Sequence, residues 1–296
     1  MNSLRRPSGI FLAFLLALCA AMLLAAIASP WVQAALAPVA VFPLHRVFSR
    51  LTMLGVIGIS LWLALRYRLA QRQLLGYGTP LPRFLRRAAT GLAAGIALML
   101  VALLPLFLLD LREWNARVPA GAAGWALLVL KGLGSGLGVA LIEETFFRGA
   151  MQGALQRQGA TRLALLAVPL FYSAVHFLGR AASVPYEEVN ALSGFTAWRG
   201  FFAGWSQPLP WLDAFVALWF VGLLLALVRQ RWGDIAGCIG LHAGFVAAIA
   251  IFRKVSAPAA APNDWSFLVG SFDGLLGIWI ALLAALACLA VWRLRA

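Results

Sequence analysis

Apolar runs of nearly bilayer-spanning length recur along the whole chain, and they constrain its fold more than any other feature. A helix needs about 20 apolar residues to cross the hydrocarbon core of a membrane. About eight such runs occur in the 296 residues, of which 63% are hydrophobic and only 11% are charged. They lie near Ile10–Ala28, Leu51–Leu65, Ala88–Leu109, Ala122–Val139 with an extension toward Gln156, Ala160–Leu178, Trp211–Val228, Ile235–Phe252 and Gly274–Trp292. The sequence therefore predicts an all-α polytopic membrane bundle of about eight transmembrane helices, forming a single integral membrane domain over residues 1–296.

The first run follows Arg5 and Arg6, a pattern that is also typical of a cleavable signal peptide. The run is long for the apolar region of a signal peptide, and seven further spans need no separate export signal. We therefore expect an uncleaved first helix.

The formal net charge of +14 could suggest a nucleic-acid partner, but the basic residues follow the loops between the spans. With the N-terminus in the cytoplasm, 15 arginines fall on the cytoplasmic side and eight basic residues fall in the opposite loops. The positive-inside rule then predicts that both termini are cytoplasmic. Arginine outnumbers lysine 22 to 2, which hints at a GC-rich bacterial genome. We expect the inner (plasma) membrane as the location and the lipid bilayer, with no nucleic acid, as a partner.

One glycine-rich stretch interrupts the fourth run. Residues Lys131–Gly138 read KGLGSGLG, with glycine at every second position. Such a stretch permits close helix approach through Gly134 and Gly138, or a break in the helix. We expect a break or bend near it.

Two adjacent carboxylates, Glu143 and Glu144, lie in the otherwise apolar segment GVALIEETFFRGAMQGAL. An ionisable residue at membrane depth is by default a functional hypothesis. On a helix, Glu144 lies about 40° from Arg148, whereas Glu143 lies about 140° from it. Glu144 can therefore be neutralised by Arg148, which leaves Glu143 free to act as a general base. The alternative is that the whole group is an ion-pair staple between helices.

Two histidines can reach the same depth as Glu143. His176 lies about 15 residues after the fifth span begins, and Glu143 about 15 residues before the fourth span ends, so two antiparallel helices would place both about 22 Å from their turn. His242 lies about 11 residues into its own span, at a comparable depth. A lone membrane histidine is more often a helix–helix hydrogen-bonding residue, but two at one level with a carboxylate favour a reaction site.

Three motifs resemble those of a known family. Glu143-Glu144-x-x-x-Arg148, an aromatic residue four positions before His176, and His242 within GLHAGF resemble the motifs of the CPBP family, the CAAX-protease and bacteriocin-processing intramembrane glutamic proteases, which are similar to type II CAAX prenyl endopeptidases. The resemblance runs from about Gly138 to Ala248, inside a motif-bearing core of about 122–252.

The resemblance implies an eight-helix bundle that hydrolyses a peptide bond in a membrane-anchored protein or peptide. By the same resemblance, Glu143 and His176 would activate water and His242 would stabilise the oxyanion. Glu144, Arg148 and Tyr172 would support the site.

Two positions depart from the family pattern. Tyr172 stands where the second motif usually has phenylalanine, and Val246 stands where the third motif usually has asparagine or aspartate. Loss of one oxyanion donor typically costs about 10²–10³ in rate, which slows an enzyme without abolishing its activity. The hydroxyl of Tyr172 is a candidate substitute donor.

Glu143, His176 and His242 also resemble a zinc-binding set chemically. However, the sequence contains no HExxH motif, and a glutamate–histidine pair can activate water unaided. We expect no cofactor, with zinc at these three residues as the alternative.

Two other functions remain open. Val246 is compatible with a catalytically weak family member that acts as a membrane interaction or immunity-type protein. Buried glutamate and histidine also form proton relays, which would fit a proton-coupled transporter, although no internal repeat is visible in the sequence.

Overall fold

The computed structural model describes residues 7–68, 70–115, 118–119, 121–178 and 181–293. Arg5 and Arg6, on which the signal-peptide alternative rests, lie outside them. Helices dominate the fold, with the bounds α1 Pro7–Leu36, α2 Leu44–Arg66, α3 Arg72–Leu75, α4 Leu81–Leu108, α5 Gly121–Glu144, α6 Gln152–Arg157, α7 Thr161–His176, α8 Ser193–Phe202, α9 Leu212–Trp232, α10 Ala236–Val255 and α11 Ile278–Arg293. A π-helical segment, Thr145–Met151, joins α5 to α6. Short 3-10 turns lie at Tyr186–Glu188, Ala203–Ser206, Leu209–Trp211 and Ser266–Leu268.

The predicted all-α membrane fold is confirmed. Six helical segments in the described part are long and apolar enough to cross a membrane: Phe11–Leu36, Leu44–Arg66, Leu81–Leu108, Gly121–Arg157, Leu209–Trp232 and Ala236–Val255. The two remaining predicted spans correspond to the shorter apolar helices Thr161–His176 and Ile278–Arg293. The observed helices extend beyond most of the predicted runs, because the first and last turns carry polar or charged residues that an apolar count leaves out.

Two short strands, β1 Arg112–Trp114 and β2 Ser256–Pro258, form an antiparallel pair in which Arg112 is opposite Pro258. This ribbon links the connection after α4 to the end of α10. The buried side chain of Arg112 donates hydrogen bonds to the Ser256 hydroxyl and carbonyl at 3.0–3.2 Å. Burial and the nearby cation Arg253 lower the pKa of the Arg112 guanidinium.

The chain divides into two compact units. The first contains 1–70 and 174–209, and the second contains 71–173 and 210–296. In the first unit α8 packs directly on α1, since a Cβ atom added at Gly194 would lie 1.8 Å from the carbonyl oxygen of Ala26. The rings of Phe48 and Phe201 pack 5.1 Å apart in the same core. A single domain spanning 1–296 stays a prediction.

In the second unit, glycines bring α10 into backbone contact with both α4 and α5. A Cβ atom at Gly136 of α5 would lie 2.5 Å from the carbonyl oxygen of Ala243 in α10. A Cβ atom at Gly95 of α4 would lie 2.4 Å from the carbonyl oxygen of Leu241, on the other flank of the same helix. Real Cβ atoms essentially never come so close to backbone, so only glycine permits this spacing. His242 is thereby held at short range from α5.

The expected break in KGLGSGLG is wrong, because α5 runs as one helix from Gly121 to Glu144, while the alternative of a bend stays a prediction. The glycines that contact α10 are Gly132 and Gly136, whereas a Cβ at Gly134 or Gly138 would meet nothing within 4 Å. Glycines four residues apart share a helix face, and the sequence offered two such pairs. Only packing against α10 decides between them.

Candidate active site

The two carboxylates lie at the junction between α5 and the π-helical segment. Glu144 is the last residue of α5, and Thr145 begins the π segment, which carries Arg148 at its centre. A π turn contains one more residue than an α turn and occurs often at functional sites. The backbone geometry therefore changes immediately after the residues that the sequence singled out.

Glu144 is fully buried and holds two partners on one oxygen. Its Oε1 atom accepts a hydrogen bond from Nη1 of Arg148 at 3.1 Å and lies 2.7 Å from Nδ1 of His242. The pairing with Arg148, predicted from their spacing on the helix, is confirmed. The contact with His242 gives Glu144 a second role that the spacing could not reveal.

His242 lies between both carboxylates. An oxygen that already accepts from an arginine is an ionised acceptor, so the proton of the short contact belongs to Nδ1 of His242. The other ring nitrogen, Nε2, faces Glu143, whose Oε2 atom is 3.9 Å away. Glu144 therefore orients the imidazole, and Nε2 is directed toward the carboxylate that is free of Arg148.

Glu143 is the more accessible of the pair, with 28% of its side chain exposed against none for Glu144. Its Oε2 atom is nevertheless buried and, like Oε2 of Glu144, makes no hydrogen bond to any described residue. A buried carboxylate oxygen without a hydrogen-bond partner is costly in a structural site. The predicted difference between the two glutamates, one held by Arg148 and one not, is confirmed.

Arg148 is completely buried and ties the site to α9 and α7. Its Nη2 atom donates to the carbonyl oxygen of Gly222 at 3.0 Å. Its guanidinium carbon lies 4.6 Å from the centre of the Tyr172 ring. Salt bridge, carbonyl bond and ring contact together fix one orientation of the guanidinium, which in turn fixes Glu144.

Two further polar side chains form hydrogen bonds between α9 and the helix that carries Arg148. The Nε2 atom of Gln152 donates to the carbonyl oxygen of Ala226 at 3.0 Å. Nε of Arg229 donates to the carbonyl oxygen of Arg148 at 3.4 Å, although only 6% of Arg229 is exposed. The sequence analysis missed both residues. The available signal was the position of Gln152, one turn beyond Arg148 in an apolar segment.

Tyr172 packs at the centre of the site. Only 2% of the residue is exposed. Its ring meets those of Phe147 and His242 edge to face, with centroids 5.3 and 6.2 Å apart. The prediction that Tyr172 supports the site fits this position, while the donor role of its hydroxyl stays a prediction.

His176 is the last residue of α7 and belongs to the first unit. Its catalytic pairing with Glu143 therefore stays a prediction. Val246 lies one turn beyond His242 in α10 and is partly buried. A valine side chain cannot donate a hydrogen bond, so position 246 supplies no side-chain donor where the third motif usually has one.

No three His, Cys, Asp or Glu side chains among the described residues are arranged to hold a metal ion. The alternative zinc set of Glu143, His176 and His242 stays a prediction. Metal independence itself stays a prediction.

A bundle of apolar helices that encloses a charged carboxylate–histidine centre defines a polytopic membrane protein with an intramembrane polar site. Residues 124–248 match the family model described as Rce1-like, type II CAAX prenyl endopeptidase Rce1-like. Over these residues the chain is similar to the CPBP, or CAAX protease, family of membrane endopeptidases, and the match supports the assignment of this part of the chain to that family. No curated protein and no solved structure matches the chain.

Proposed function

We propose that the chain hydrolyses a peptide bond of a membrane-associated protein or peptide, with Glu143 as the general base. One observation carries this proposal: Glu143 has a partly accessible side chain, and its buried Oε2 atom, which has no hydrogen-bond partner among the described residues, faces Nε2 of His242. An atom placed about 3 Å from both Glu143 Oε2 and His242 Nε2 is geometrically allowed, since these two atoms are 3.9 Å apart. The reacting water or the scissile carbonyl oxygen would occupy this position.

The proposed reaction uses the chain's own side chains. Glu143, assisted by His176, takes a proton from water while the hydroxide oxygen attacks the carbonyl carbon. In this step His242 acts as an imidazolium with a proton on each ring nitrogen, so Nε2 donates to the oxyanion while Nδ1 donates to Glu144. The carbon–nitrogen bond then breaks, Glu143 passes its proton to the leaving amine, and the products are a carboxylic acid and an amine. The part assigned to His176 rests on the family resemblance and on its distance from the turn in sequence.

The proposed orientation places both termini in the cytoplasm of a cell whose inner membrane holds the protein. The excess of arginines on the proposed cytoplasmic side supports it. Reporter fusions at each end, read for cytoplasmic and external activity, test this orientation.

A substrate screen tests the proposed function. Cells expressing the native chain and cells expressing Glu143→Ala at equal level are compared by quantitative membrane proteomics. We expect a protein that accumulates uncut only with the variant. Equal cleavage of an identified substrate by both would overturn the proposal, and retained cleavage after chelator treatment would exclude a required metal.

A catalytically weak interaction protein is the second candidate, and Val246 favours it because the expected second oxyanion donor is absent from that position. Under this alternative a cellular phenotype survives Glu143→Ala and His176→Ala but not Arg148→Ala. The difference arises because Arg148 supports the fold and the other two would support only the reaction.

A further inference from the structure

Most charged residues of the second unit outside the candidate active site lie at one of its two ends, and most of the arginines lie at the same end. One end contains α3, the beginnings of α4 and α7, and the ends of α6 and α9. It carries the arginines 72, 83, 86, 87, 157, 162, 229 and 231. Asp234 is the one carboxylate at this end within the described residues, whereas the opposite end carries Asp110, Glu113, Asp213, Asp264 and Asp273 together with the cations Arg112, Arg253 and Lys254. We call the first the basic end.

Specific contacts bring the segments of the basic end together. Nη1 of Arg87 in α4 donates to the carbonyl oxygen of Trp232 at the end of α9, at 2.8 Å. Nη2 of Arg229 donates to the carbonyl oxygen of Leu74 in α3, at 3.0 Å. A Cβ atom at Gly153 of α6 would lie 2.7 Å from that same oxygen. The arginines of these segments therefore share one surface.

Asp234, the carboxylate of the basic end, already has partners within the chain. Asp234 is 1% exposed and forms an ion pair with Arg87. Its Oδ2 atom also accepts a hydrogen bond from the Thr79 hydroxyl at 2.7 Å, and its Oδ1 atom from the backbone of Ala236 at 3.1 Å. Asp234 closes the turn between α9 and α10 and does not neutralise the exposed arginines.

Besides Arg231, five arginines at this end are exposed: Arg72, Arg83, Arg86, Arg157 and Arg162. None of these five forms an ion pair with another residue in the part of the chain that the structure describes. Like charges that are grouped without counter-ions destabilise a folded surface unless an anionic partner compensates them. The exposed arginines of the basic end therefore favour binding of an external anion.

Exposed leucines alternate with arginines at the start of α4. Leu81 and Leu85 are 67% and 57% exposed, one helical turn apart, and Arg83 and Arg86 lie beside them. The same helix continues as a candidate membrane span through Leu108. Leucines at this level contact acyl chains, while guanidinium groups reach the phosphate layer. A soluble acidic protein would provide no partner for the leucines.

We propose that the basic end binds the headgroups of anionic phospholipids, with Arg83 and Arg86 contacting the phosphates. Arginine presents several donors in a fixed fork that matches phosphate oxygens. The five exposed arginines form a cluster of the size typical of anionic-lipid recognition. This binding is independent of peptide-bond hydrolysis.

Native mass spectrometry of the purified full-length chain in detergent, titrated with phosphatidylglycerol or phosphatidylcholine, tests the proposal. We expect preferential phosphatidylglycerol binding that weakens as salt concentration rises. The exposed pair substitution R83Q/R86Q should lower the phosphatidylglycerol affinity roughly 25-fold, at about fivefold for each arginine. Phosphatidylcholine binding should not change.

The matched control is R253Q/K254Q, which removes two exposed cations at the opposite end. It should change phosphatidylglycerol affinity by less than about twofold, and the charge-keeping R83K/R86K should retain the lipid preference. Equal affinity for the two lipids, or equal losses in R83Q/R86Q and R253Q/K254Q, would overturn the proposal. Displacement of phosphatidylglycerol by an acidic peptide that binds more tightly would also overturn it, in favour of a protein partner.

Discussion

Nδ1 of His242 lies 2.7 Å from Oε1 of Glu144, the same oxygen that Arg148 contacts at 3.1 Å. The second glutamate of the motif thus joins α10 to the π segment and also neutralises its arginine. Removal of one partner from a buried ion pair destabilises a protein much more than the intact pair stabilises it. The stability of the site and the orientation of its histidine therefore share one carboxylate.

Substitution of Glu144 should cost stability, whereas substitution of Glu143 should not. Glu144→Gln leaves the buried Arg148 without a counter-ion, so we expect the free energy of unfolding to fall by about 3 kcal/mol. Glu143→Gln alters a carboxylate that no arginine contacts, with an expected change below about 1 kcal/mol. Thermal unfolding of both variants in the same detergent measures the difference. Equal destabilisation would contradict the separate roles of the two glutamates.

Neighbouring glycines of α5 should respond in opposite directions to alanine. Gly136→Ala places a Cβ atom against the Ala243 carbonyl, so we expect a loss of about 1–3 kcal/mol from overpacking. Gly134→Ala meets open space and should stabilise the helix by about 0.5–1 kcal/mol. Unfolding midpoints of the two single variants are the measurement. A destabilising Gly134→Ala would refute the observed helix phase.

Restoring a donor at position 246 should increase turnover if the chain is a protease. Val246→Asn places an amide one turn beyond His242, where a second oxyanion contact is expected, and should raise turnover by about 10²–10³. The assay follows cleavage of a substrate identified by proteomics. Val246→Leu, which adds no donor, serves as the control. Equal turnover in both variants would show that this position does not contact the oxyanion.

Two substitutions of Tyr172 separate its ring from its hydroxyl. Tyr172→Phe keeps the ring beside Arg148, whereas Tyr172→Leu removes a cation–π contact that contributes about 1–2 kcal/mol. We therefore expect greater destabilisation with leucine than with phenylalanine. If the hydroxyl acts as a donor to the oxyanion, Tyr172→Phe lowers turnover by about 10². Full turnover by Tyr172→Phe would exclude the donor role.

Sequence patterns predicted what lies within one helix and failed where two helices meet. The Glu144–Arg148 pair follows from spacing on a single helix and needs no tertiary information. The contact of Glu144 with His242 joins residues 98 positions apart, and depth alone cannot show which glutamate faces the histidine. Similarly, Gly132 and Gly136 could not be distinguished from Gly134 and Gly138 before the position of α10 was known.

Arg229 illustrates a different limit. An arginine at the end of an apolar run is usually an exposed residue that satisfies the positive-inside rule. Arg229 is instead buried and donates to the carbonyl oxygens of Arg148 and Leu74. Burial of an individual charged residue depends on the helices around it, and the sequence of one helix does not contain that information.

The π-helical segment changes the direction in which side chains project before and after it within one long helix. Each α-helical residue turns the chain by about 100°, so a single additional residue in a π turn rotates everything that follows by a similar angle. Glu144 can therefore face α10 while Gln152 faces α9, without a loop between them. Shortening Thr145–Met151 by one residue would preserve the apolar composition of the span but direct Gln152 away from α9. In this helix, residue count is thus as important as residue identity.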